Sequence, residues 1–406
     1  MSYRDLPRKQ LAALAYEFLL AGHLIDRAGM AYVIKDFGRE VMRDVAIDEW
    51  MAASPVYTRR MRRALGFEGN DVGTIFKAMQ FDVGAPHRFM DFRFVVHDAN
   101  HGEFTLASCG ALMDVEPLGE EYVVTMCHDI EDPTFDATAS ATNPRARMRP
   151  VHRPPRVPAD RLPHCKWTVT IEPDAEPLAE PEGATWLATS HAAQLELTTP
   201  EENPDPGGAT DYAGPMDPDL QLGRFSQPTL VRILDELALQ GHLIARSYMH
   251  AVQQRSDTET ALRLGRHQAT GIAGLTAKRL VRHLGTNDLA AVLELHPMFH
   301  PRAYVDVRAW GGEETTIALS SCPALDEGDE LTWPALLARG DAGPIEAAVR
   351  AIDPRATIDR VDPPPGALLA WRTRTDPAIE PFAEANEVGV ASFSTGAEFR
   401  FEPRGT

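Results

Sequence analysis

Cysteine and histidine gather along one stretch of this 406-residue chain: Cys109, the run Cys127-His128-Asp129, His152, and the pair His164-Cys165. Thiolate, imidazole and carboxylate side chains attack electrophiles, move protons or ligate zinc or iron. Two chemistries fit. In one, Cys127 or Cys165 is a thiolate nucleophile, with His128 and Asp129 as its activating partners. In the other, Cys109, Cys127, His152 and Cys165 hold zinc or iron, and the metal activates water. No C-x-x-C occurs. The H-x-x-x-H pairs His97/His101 and His296/His300 straddle a turn and contain Pro297, unlike the helical pair of a metalloprotease.

A basic run follows the cluster: Arg145, Arg147, Arg149, Arg153 and Arg156. Solvated pairing with nearby acids is the ordinary reading. The sharper one gives Arg145, Arg149 and Arg153 to a substrate carboxylate, which a guanidinium grips with two parallel bonds. Asp129, Glu131, Asp132 and Asp136 read as a solvated helix start, where acids favour the first turn. His23 and His242 read as structural histidines on a helix, and His87 and His300 as turn residues before a strand.

The elements that position these groups come twice. Residues 11–30 reappear at 230–249 with nine of twenty positions identical, including Gly22-His23-Leu24-Ile25 against Gly241-His242-Leu243-Ile244. The register runs on to the C-terminal region, its spacing shrinking from 219 to 204, as short loop deletions would cause. This divides the chain into module 1 (1–200), an acidic Pro/Gly-rich linker (201–228) and module 2 (229–406). Each module predicts an N-terminal helical layer, then a mostly antiparallel sheet with a short helix: an α+β class. In module 1 the helices fall at 11–25, 37–53, 56–65 and 72–79, with Pro55 as a break. Strands fall at 92–96, 103–107, 122–126 and 165–171, a short helix at 133–141, and a last hairpin at 185–189 and 194–198. Module 2 repeats the order, with its last pair at 388–393 and 398–401.

The copies disagree at the cluster. Cys127 faces Ala338, Cys165 faces Leu369, and His152 faces Asp362, whereas Cys109 and Cys322 occur in both. A single retained site in module 1 leaves that asymmetry. The shared cysteine pair suits packing instead.

At these residues the chain resembles the L-2-amino-thiazoline-4-carboxylic acid hydrolase-like family. The pattern is a Cys after a strand, a Cys-x-x-Asp segment, a short helix, and a last Cys leading an aromatic-rich strand. Here it reads Cys109, Cys127-His128-Asp129, the 133–141 helix and Cys165-Lys166-Trp167-Thr168-Val169. The likeness covers residues 10–172. It departs in placing Asp129 two residues after Cys127, and in the second copy that lacks the last two cysteines. The resemblance implies a hydrolase that opens a small C–N ring.

Composition sets the class. A net charge of -19 argues against nucleic acid and against an anionic membrane surface. No apolar run of 18 residues occurs and the N-terminus lacks a signal-peptide order, which with four cysteines predicts a cytoplasmic protein. The expectation is a hydrolase-like enzyme acting on a small, anionic, C–N-containing substrate. A non-catalytic small-ligand or metal-binding pseudo-dimer is the alternative, and a homo-oligomer is open to both. A third role is a structural partner that docks through the acidic 201–227 segment.

Overall fold

The computed structural model describes residues 3–199 and 207–401. Module 1 opens with two long helices, α1 (Arg8–Phe37) and α2 (Arg39–Ala64), and a short α3 (Val72–Met79). Strands β1 (Met90–Val96) and β2 (His101–Cys109) follow, then α4 (Gly110–Val115), α5 (Glu120–Val124), a π-helical segment (Thr125–Ile130) and α6 (Glu131–Ser140). β3 (Ala146–His152), β4 (Cys165–Ile171), α7 (Glu182–Leu187) and α8 (His191–Gln194) complete it. Module 2 repeats the plan. It has α9 (Gln227–Gln253), α10 (Thr258–Leu284), α11 (Leu289–Glu294), β5 (Val307–Gly311), β6 (Glu314–Ser320), α12 (Trp333–Ala338) and α13 (Gly343–Ile352). β7 (Ala356–Val361), β8 (Ala367–Thr375) and α14 (Asn386–Ala391) close it. The sheets share one antiparallel topology, β1-β2-β4-β3 and β5-β6-β8-β7. The fold is α+β with two similar modules, as the internal repeat predicts.

Local chemistry sets the element ends. The Asp71 carboxylate accepts from Thr74 N at 2.7 Å and caps α3. Asp257 does the same for α10 through Thr260 N, and Gly285 ends that helix at φ +65°. Pro55, expected to divide two helices, lies buried inside one continuous α2. Both flanks of Pro55 pack on neighbouring helices, and that burial outweighs the lost backbone bond.

Three strand assignments change. Residues 122–126 are helical, because Gly119 restarts the chain and Glu120-Glu121 suit a first turn. The strand that completes the sheet is instead the basic run, β3, with Ala146 and Met148 turned inward and Arg147 and Arg149 outward. The last hairpin in each module is replaced by short helices, α7, α8 and α14. Ser190 caps α8 through Ala193 N at 3.1 Å.

The modules share one continuous hydrophobic core. α1 packs on both α9 and α10, and α9 packs on α2, so each helical layer is covered by the other module. At the α1–α9 crossing, the Tyr248 hydroxyl donates to the Gly29 carbonyl at 3.1 Å. The described part of the linker is also folded. Tyr212, Leu220, Leu222 and Phe225 are buried, and Lys77 Nζ donates to the Tyr212 carbonyl at 2.9 Å. Its Pro, Gly and Asp content hides four apolar anchors that dock it on module 1. Residues 200–206 lie outside the described residues.

Candidate functional site

Cys109, Cys127 and Cys165 lie within electrostatic reach of one another. Cys109 ends β2 and its sulfur accepts from Leu112 N at 3.3 Å, capping α4. Cys127 sits in the π-helical segment, a distortion often found at functional sites. Cys165 opens β4 on its inward face, beside Leu106 of β2. All three are buried. Burial, reinforced by the nearby Glu131 carboxylate, pushes Cys109 up to about 12. The same two causes raise Cys127 and Cys165. Thiols held this way stay protonated at neutral pH and are poor nucleophiles.

The proposed partners point elsewhere. His128 Nε2 lies 2.7 Å from the Pro154 carbonyl. Asp129 is exposed. His152 pairs with Lys166 across the sheet, on the face opposite Cys165. His164 Nδ1 accepts from the Cys109 backbone N–H at 3.1 Å, not from its thiol. Among the described residues, no group of three His, Cys, Asp or Glu side chains is placed to hold a metal ion. The Cys109/Cys127/His152/Cys165 set therefore does not assemble, because strand alternation puts His152 on the wrong face. The arginines are engaged as well. Arg149 meets Asp136 at 2.9 Å, Arg153 binds Asp132, and Arg145 Nε donates to the Ala175 carbonyl at 3.1 Å. The ordinary reading of that run, pairing with nearby acids, describes Arg149 and Arg153.

The polar interior of module 1 lies on the other side of Glu131. A cavity of about 120 Å³ opens between α1, α2, β1, the π-helical segment and α6. A single water needs only about 10–15 Å³. Its apolar wall is methionine and aromatic: Met30, Met42, Met90, Met126, Trp50, Phe92 and Phe135. Into it project His23, Asp26, Arg27, Tyr57, Asp82 and Glu131. His23, Asp26, Arg27 and Met30 follow the i, i+3, i+4, i+7 spacing of one helix face.

These groups are poorly compensated. His23 is 4 % exposed, and neither ring nitrogen has a hydrogen-bond partner. Burial and then Arg27 push it down to about 3, so it is neutral. Burial raises Asp26, which accepts from Trp50 Nε1 at 3.3 Å. Next to it Glu49 is fully buried; burial, then the Asp26 charge and a proton shared with the Asp26 carboxylate, raise it strongly. Burial brings Asp82 up to about 6 despite bonds from the Tyr57 hydroxyl (2.6 Å) and Gly84 N (2.7 Å). Burial takes Glu131 up to about 8, and its Oε2 is unpartnered. Two cations act on them. Arg153 acts on Glu131, and Arg27 acts on Asp26, Glu49 and Glu131. Arg27 lies 3.7 Å from Asp26 and 3.5 Å from the Met126 sulfur.

Module 2 has closed the matching space. At the spacing of 219, Asp26 becomes Ala245, Glu49 becomes Gln268, Trp50 becomes Ala269 and Tyr57 becomes Thr276. Trp333 and Met298 help fill what remains, a cavity of about 30 Å³. The two shared polar residues each have a partner there. His242 Nε2 lies 2.7 Å from the His300 carbonyl, and Arg246 grips Asp329 with bonds of 2.9 and 3.1 Å. Sequence comparison pointed to module 1 but singled out the cysteines; the Asp26/Ala245 and Glu49/Gln268 differences were equally readable in the same register. Glu131 was read as solvated, yet α6 turns it inward. Comparison with family models, with curated proteins and with solved structures finds no match to this chain, so its role must be read from its own geometry.

Proposed function

We propose that the chain is a pseudo-dimeric small-molecule-binding protein with one working site, the cavity of module 1. One observation carries this: matched positions in the two modules line a roomy cavity with three carboxyl groups and an unpartnered histidine in one, and a smaller space without acids in the other. Buried polar groups without partners cost stability, and a ligand that satisfies them recovers it. The site, lined by helices and sheet with polar groups set in an apolar wall, has the makeup of small-ligand pockets. A cytoplasmic setting belongs to the same proposal and draws on the four free, buried cysteines. No helix among the described residues is long and apolar enough to cross a membrane. The test is a thermal-shift screen of small molecules against the wild-type protein and Ala46→Leu, whose longer side chain enters the cavity. Ligands that stabilise only the wild type support the site. Ligands that stabilise both equally place binding elsewhere.

A hydrolytic role, implied by the family resemblance, has one observation in its favour. Glu131, raised to about 8, is a carboxylic acid at neutral pH and suits general-acid work. Hydrolysis of small cyclic C–N compounds that disappears in Glu131→Gln supports it. Turnover unaffected by that change removes Glu131 from the chemistry.

A further inference from the structure

We propose that the module 1 cavity takes a compact organic cation, a protonated amine carrying a small apolar or aromatic body. The inference rests on the ligand-binding role proposed above and adds the ligand's charge. Three carboxyl groups, Asp26, Asp82 and Glu131, line the space, and a fourth, Glu49, stands next to Asp26. Arg27 lines the cavity with them, and Arg153 also acts on Glu131. Four carboxyl groups thus meet two guanidiniums, and burial favours their protonated forms, which a bound cation would reverse. His23 supplies an independent indication. It is sealed from solvent, neutral and without a partner, so it offers a free lone pair to an N–H donor. An ammonium group brings both a positive charge and the donors. The wall suits the remainder of such a ligand, since Trp50, Phe92 and Phe135 present aromatic faces that attract cations, and methionines adapt to varied shapes.

A small carboxylate would find Arg27 in the lining but add a further negative charge beside four acids. A neutral ligand would not draw the acids toward their ionised forms. Binding a cation also has a proton signature. It favours the ionised form of Glu131, so a proton leaves the protein as the amine enters near pH 7.

The experiment is calorimetric titration and thermal shift with benzylamine, isobutylamine and piperidine, each beside its neutral and carboxylate isosteres. The amines are expected to raise the melting temperature while their isosteres do not. Asp26→Asn and Glu131→Gln should each weaken amine binding roughly tenfold, the scale of one lost charge-assisted contact. Both variants keep the side chain's size without its ionisable group and should fold, which circular dichroism checks. Proton release, read from buffers of different ionisation heat, should fall in Glu131→Gln. Carboxylates or alcohols that bind as well as amines, with binding lost in Ala46→Leu, overturn the cation and keep the cavity as a site. If no compound of any charge binds, the cavity is water-filled and both readings fall.

Discussion

Arg60 of α2 and Glu236 of α9 form a fully buried ion pair across the two modules, with nitrogen–oxygen distances of 2.7 and 2.9 Å. Its image is Arg279 with Glu17, at 2.8 and 2.9 Å, and both residues are shifted by 219. Each arginine also donates to main-chain carbonyls, Arg60 to Ala193 and Leu195, Arg279 to Gly396, Ala397 and Phe399. The two contacts repeat as they would in an isologous dimer.

Removing one partner leaves a buried charge alone. Glu236→Gln and Glu17→Gln should each cost about 3–5 kcal/mol in urea unfolding, with the first at the upper end because Arg60 is the more deeply buried. A loss under about 1 kcal/mol in both would mean that the pairs do not hold the modules together.

Glu131 predicts a pH dependence with a definite sign. Arg153, Asp132 and Arg27 face it, as do the thiols of Cys109, Cys127 and Cys165. The unfolded chain gives up this proton near 4.5 and the folded chain near 8. Between those values the folded state holds a proton that the unfolded state lacks, so rising pH penalises folding, and the penalty levels off above 8. Glu131→Gln should therefore gain stability over the wild type as pH rises from 4.5 to 8, by roughly 2–4 kcal/mol. A difference that stays constant from pH 4 to 9 contradicts this environment for Glu131.

The cysteines should be quiet. At pH 7.5, iodoacetamide is expected to label Cys109, Cys127 and Cys165 of the native protein far more slowly than in urea, as protonated, buried thiols do. Rapid native labelling of Cys127 or Cys165 would return the thiolate mechanism to consideration.

Gly29 tests the crossing of α1 and α9. A Cβ there would lie 2.8 Å from the Tyr248 ring. Gly29→Ala should destabilise by about 1–3 kcal/mol, as overpacking does, and Tyr248→Leu should recover part of the loss. Strict additivity of the two changes would show that they do not touch.

Much of the fold was legible because duplication reads out directly: identical residues at a drifting spacing gave both modules and the helical layer. The β3 strand was missed because its outward positions are arginine and its inward ones, Ala146 and Met148, are weak strand formers. The segment 122–126 was misassigned because Val123 and Val124 outweighed the glycine and glutamates before them. The site was half legible. Comparing copies points to the module that holds the larger cavity, but side-chain type draws attention to the cysteines, whereas what matters chemically is which groups burial strips of partners. Asp26, Glu49 and Glu131 look like ordinary helix-surface acids until the packing of the helices and sheet buries them.

The Gly29–Tyr248 contact has one more implication. These residues occupy the same position in the two copies, so they meet where the pseudo-two-fold brings the modules face to face. A true homodimer of either half would set that position against itself. Two glycines would leave a hole, and two tyrosines would collide. The ring fills the gap because the two halves carry different residues at this position, as a chain containing both can. The symmetry is thus broken at its own axis, where identical halves would either leave a hole or clash.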